Sequence, residues 1–164
     1  MRDQDFQPFH LERKAQHYSD GVAKGPKEGW HLFTCAFGPI IAVDFMENTI
    51  RNAVIKFEQE FMGRDPDEVR ALVARDLVVV RLKGVLTPAE RQLAKTAEGM
   101  EMVKQLRQNL IAQGRDKLCE QVSDITGAKV LGLFADIDVQ LNERIFVFTT
   151  DRDIQNEAKP LTSS

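Results

Sequence analysis

Asp136 and Asp138 stand two residues apart in LFADIDVQ, and Arg70 and Arg81 flank the Arg75-Asp76 dipeptide further up the chain. Two carboxylates on one strand face are residue types suited to acid–base work or to a divalent cation. Two guanidinium groups brought side by side suit a carboxylate or a phosphate. Cys119 sits next to Leu118 with no base in view, which reads as an inert thiol rather than a nucleophile. His31 and Cys35 have the spacing of one helix face, but Gly29, Gly38 and Pro39 surround them and argue against a helix there. With His10 and His17 equally isolated, no metal site is expected, and no P-loop or dinucleotide fingerprint points to a cofactor.

The segment KGVLTPAERQLAKTAEG raises the same question of site or scaffold. Thr87 stands where an N-cap belongs, Pro88 at the first helical position and Glu90 three residues after the threonine. Such a capping box satisfies backbone donors at a helix start, and it explains all three residue types without chemistry. A partner contact made by the loop from Gly84 to Leu86 stays open beside that reading.

These residues need elements to hold them. The segment ENTIRNAVIKFEQEFMG repeats Ile50, Val54, Phe57 and Phe61 at helical spacing, with Gly63 placed to end the helix. Two strands follow, VRALVA and LVVVRLK, joined at Arg75-Asp76. Pairing them puts Val69, Ala71, Val73, Val78, Val80 and Leu82 on one apolar face. After the short capped helix, Val103, Leu106, Leu110, Leu118, Val122 and Ile125 predict a long helix from about Ala97 to Thr126, closed by Gly127. At 1.5 Å per residue it would run roughly 45 Å. A closing hairpin, KVLGLFADIDVQ and RIFVFTT, turns near Asn142-Glu143, with Leu131, Leu133, Ala135, Ile137, Val139, Phe146 and Phe148 inward.

The fold class is therefore α+β: a two-layer sandwich in which helices cover one face of a four-stranded, mainly antiparallel sheet, in the order helix, hairpin, helix, helix, hairpin. The other face carries Arg70, Leu72, Leu77, Val79 and Arg81 from the first hairpin. The second hairpin adds Gly132, Phe134, Asp136, Asp138, Ile145, Val147 and Thr149. About half of these are apolar, more than a solvated face calls for. In this register Arg70 and Arg81 oppose each other, which requires a counter-charge. Three readings follow: arginines and aspartates pair within the sheet or across a dimer, the arginine pair holds an anion, or the face is simply solvated.

Composition sets the outer bounds. The chain has 164 residues, 43% hydrophobic and 29% charged, with a net charge of −3. That length suits one core, and the balance lacks the basic excess of a nucleic-acid binder. No apolar run is long enough to span a membrane, and two distant cysteines fit a reducing cytoplasm. Every histidine, Tyr18 and Trp30 fall before residue 45, among Pro8, Pro26 and Pro39, while regular periodicity begins at Met46. Residues 1–45 read as a weakly ordered extension with Met46 as an alternative start, 46–152 as one domain and 153–164 as a tail.

In order along the chain, FMGRDP, DLVVVRLKGVLTPAERQLAKTAEG, ITGAKV, and DI followed by ERIFVFTTD make it similar, from about Asn48 to Asp151, to the small bacterial MpsC-like family. The resemblance implies association with a sodium-translocating, membrane-potential-generating system and hence a membrane-protein partner. It carries over no catalytic residue. Asp65 replaces a glycine usual in that family, and Phe134-Ala135 stand where a histidine is frequent. The expectation is a cytoplasmic, non-enzymatic, homodimeric interaction or regulatory module. Its candidate interface comprises Arg70, Leu72, Val79, Arg81, Phe134, Asp136, Asp138 and Val147. The alternative is a small-anion or metabolite sensor using Arg70 and Arg81.

Overall fold

The computed structural model describes residues 39–157. The extension up to residue 38 with its histidines and Cys35, and the tail from residue 158, lie outside the described residues. Helix α1 spans Pro39–Met62, strands β1 and β2 span Glu68–Ala74 and Leu77–Lys83, and helices α2 and α3 span Pro88–Leu93 and Ala97–Thr126. Strands β3 (Val130–Asp138) and β4 (Glu143–Thr150) and the short helix α4 (Ile154–Glu157) complete the fold. The sheet order is β1-β2-β4-β3, antiparallel throughout. Helices α1 and α3 pack on each other and on the sheet, which is the α+β architecture read from the periodicity.

Helix α1 begins at Pro39, ahead of Met46, where the regular periodicity starts. Proline at the first helical position starts a helix because its missing N–H would be unpaired there anyway. Buried Ala42 and Met46 extend the stripe of Ile50, Val54 and Phe57 toward the N-terminus. Beyond residue 152, α4 buries Ile154 and closes on the first hairpin. There the Arg75 N–H donates to Gln155 Oε1 at 3.0 Å, and Arg75 has a φ of 58°.

The first hairpin pairs in the expected register, with Val78, Val80 and Leu82 fully buried. The second differs. A bulge between Val130 and Gly132 leaves Leu131 without a cross-strand partner, so its side chain turns outward and is 64% exposed. Ala135 is exposed although its neighbours Leu133 and Ile137 are buried, because β3 is the edge strand at the margin of the core.

Helix α3 departs most from expectation. Its buried stripe is Gly99, Val103, Arg107, Ile111, Gly114, Leu118, Val122 and Thr126. Leu106 is 49% exposed, and Leu110 and Ile125 are half-buried. Placing leucines inward by hydrophobicity alone misses that Arg107 occupies the core-facing turn with its charge neutralised there. Gly114 makes the close crossing of α1 and α3 feasible, since a Cβ there would lie 2.5 Å from Phe57 Cε2.

Candidate functional site

Two groups of charged residues flank the sheet. On the inner side, Glu58 of α1, Arg107 of α3 and Arg144 of β4 are each at most 2% exposed. Arg107 donates from Nε to Glu90 Oε1 at 2.7 Å, from Nη2 to Glu90 Oε2 at 2.5 Å, and from Nη2 to the Val85 carbonyl at 2.7 Å. Arg144 Nη1 donates to Glu58 Oε1 at 2.7 Å, and Arg107 Nη1 lies 3.8 Å from Glu58 Oε2. The result is an alternating chain, Glu90–Arg107–Glu58–Arg144, with charges balanced inside the protein. Removing either charge of such a pair strands the other in low dielectric.

The capped helix belongs to this chain. Thr87 Oγ1 accepts the Glu90 N–H at 3.2 Å, and Glu90 Oε2 accepts the Thr87 N–H at 2.7 Å, completing the box with Pro88 in its first turn. The same Glu90 carboxylate grips Arg107, so one side chain caps α2 and ties it to α3. Burial pushes the Glu90 carboxyl up, but hydrogen bonds from Arg107 and Thr87 outweigh it and hold the group below the ordinary range. Burial pulls the Arg144 guanidinium down against the opposing pull of Glu58. The loop from Gly84 to Leu86 points inward: Val85 and Leu86 are 1% exposed. The Leu86 N–H donates to Asn142 Oδ1, and the Leu86 carbonyl accepts from Arg64.

On the outer side, register aligns residues in cross-strand rows. Leu72, Val79, Val147 and Phe134 form one row across all four strands. Leu72 is 56% and Phe134 65% exposed, with Val79 and Val147 half-buried between them. The next row is Arg70, Arg81, Ile145 and Asp136, and the one beyond is Glu68, Lys83, Glu143 and Asp138.

The two arginines do oppose each other, but within the chain glutamates, not the aspartates, lie against them. Arg81 makes a forked contact with Glu143, Nη2 to Oε1 at 2.8 Å and Nε to Oε2 at 3.0 Å, and Arg70 donates to Glu68. Lys83 Nζ also meets Glu68 at 3.0 Å, and hydrogen bonds from Lys83 and then Arg70 hold the Glu68 carboxyl below its ordinary range. Both glutamates lie on the outer parity of their strands. They escape a reading that starts the first strand at Val69 and leaves Glu143 in the turn.

Asp136 Oδ1 accepts the Ile137 N–H at 2.9 Å and lies 3.8 Å from Lys104 Nζ, and Asp138 Oδ1 accepts the Leu141 N–H at 2.9 Å. No arginine among the described residues meets either aspartate. Cys119 is half-buried, and burial pushes its thiol up, away from the thiolate. Among the described residues no group of three His, Cys, Asp or Glu side chains is placed to hold a metal, and no helix is long and apolar enough to cross a membrane.

Fold and face together define a small two-layer α+β protein whose second sheet face is half apolar and left open among the described residues. Residues 43–152 match the family described as Na+-translocating membrane potential-generating system (MpsC), and the chain belongs to that family. It is 32% identical over 116 residues to the uncharacterized protein YbcI of Bacillus subtilis (strain 168), across 71% of this chain and 94% of that one. To the uncharacterized protein YrhF of the same organism it is 33% identical over 109 residues, across 66% and 89% of the two chains. No solved structure matches it.

Proposed function

We propose that this chain is a non-enzymatic protein-interaction module, acting in the cytoplasm, whose docking surface is the outer face of its sheet. One observation carries the reading: the unbroken row Leu72–Val79–Val147–Phe134, with both ends more than half exposed. Contiguous exposed apolar surface is unfavourable in water and marks surfaces that another molecule covers. The description of the family extends the reading to a partner within a membrane ion-translocating system. Anion sensing through Arg70 and Arg81 rests on their juxtaposition alone, and Glu68 and Glu143 already share their charge.

Photo-cross-linking in the cell tests the reading. A photoreactive residue in place of Phe134 is expected to give protein adducts, whereas the same residue at exposed Glu120 on α3 gives none. Normal accumulation of the Phe134 variant without any adduct would overturn it.

A further inference from the structure

The outer face is not only apolar but electrically lopsided. Its β1–β2 half carries Arg70, Arg81 and Lys83 against the single carboxylate of Glu68. Its β4–β3 half carries Glu143, Asp136 and Asp138 and no cation. Building on the interaction reading above, we infer that the partner on this face is a second copy of this chain, related by a two-fold axis parallel to the strands.

The geometry follows from the sheet order. Rotation about an axis that runs along the strands, between β2 and β4, lays β1 of one copy over β3 of the other and keeps each cross-strand row at its own level. Leu72 then meets the partner's Phe134, and Val79 meets the partner's Val147, so the apolar row covers itself. Arg70 meets the partner's Asp136 and Lys83 meets the partner's Glu143, each twice by symmetry. Two-fold interfaces are self-complementary in this way: residue i touches j, and j touches i. Only a face whose two halves carry opposite charge achieves it electrostatically, and this face does. Glu68 falls opposite the partner's Asp138 at the rim, where Lys83 and Arg70 already neutralise Glu68.

The other in-plane two-fold, across the strands, is less favourable. Centred on the apolar row, it sets Arg70 and Asp136 against Ala74 and Gly132 and removes their water without supplying opposite charges. Aligned face-to-face sheets pack about 10 Å apart at roughly 30°. That twist spreads the outermost rows while keeping the central ones in register.

Arg70 and Asp136 are both exposed, so charge reversal at either leaves the core intact. Light scattering on the full chain across a concentration series is the test. The native chain is expected to be a dimer. Arg70→Asp and Asp136→Arg, each still folded by circular dichroism, are each expected to weaken it about tenfold or more, because like charges then face each other twice. The double variant Arg70→Asp with Asp136→Arg regains the native affinity, and an equimolar mixture of the two single variants forms mixed dimers. A monomeric native chain, single variants as tight as the native chain, or a double variant and mixture that stay weak would each overturn the inference. Adducts from position 134 to a different protein, with a monomeric native chain, would remove the self-docking inference and leave the interaction reading standing.

Discussion

Arginine–glutamate pairs occur on both faces of the same four strands, with opposite consequences. Inside, Glu58, Arg107 and Arg144 are sealed from water and hold α1, α2, α3 and β4 together. Outside, Arg81 and Glu143 keep 46% and 21% of their side-chain surfaces exposed. The outer pair therefore stays in contact with water. Burial, not residue type, separates the ion pairs that hold the fold from those available to organise a contact.

The comparison breaks first at Arg107. Arg107→Ala leaves Glu58 and Glu90 short of a cation, and removing one member of a buried pair costs about 3–5 kcal/mol. Urea unfolding should show that loss; a change below 1 kcal/mol would mean that the inner chain of charges is dispensable.

Glu90 sharpens it next. Glu90→Gln is expected to cost about 2 kcal/mol at neutral pH, through weakened hydrogen bonds to a charged group. The Glu90 carboxyl is held below the ordinary range in the folded protein. Its ionised form therefore stabilises the fold above that range, and the contribution is lost as pH falls through the lowered folded value. The gap between native and Glu90→Gln unfolding midpoints should narrow on acidification, and a gap constant from pH 7 to pH 3 would contradict it. Thr87→Ala, which removes the cap and one of the weaker bonds holding the Glu90 carboxyl down, should cost about 1 kcal/mol, with a smaller narrowing than Glu90→Gln shows.

The smallest effect is expected outside. Arg81→Ala should change stability by less than about 1 kcal/mol, since exposed pairs contribute little. A larger loss would place the Arg81–Glu143 fork among the elements that hold the fold.

Much of this molecule is legible in its residue order. Alternation sets the register of β1 and β2 because a one-residue slip would turn Val78, Val80 and Leu82 outward, and Gly127 marks the end of α3 with a φ of 69°. The inner charges are harder to read. Arg107 stands four residues from both Val103 and Ile111, squarely within the apolar stripe, and Arg144 shares the inward parity of Phe146 and Phe148. Such charges can be core residues only if carboxylates meet them, and Glu58 and Glu90 come from helices whose packing no local pattern reveals. The row Leu72–Val79–Val147–Phe134 has the same character. Each hairpin supplies half of it, and it becomes continuous only because β2 pairs with β4.

The most direct test of the division between faces is the unfolding free energy of Phe134→Glu beside that of Arg107→Ala, at protein concentrations low enough to suppress self-association. Phe134→Glu is expected to stay within about 0.5 kcal/mol of the native chain, as surface substitutions do, while Arg107→Ala falls several-fold further. If Phe134→Glu instead unfolds the protein as readily as Arg107→Ala, the outer face belongs to the fold, and the account of it as a docking surface is wrong.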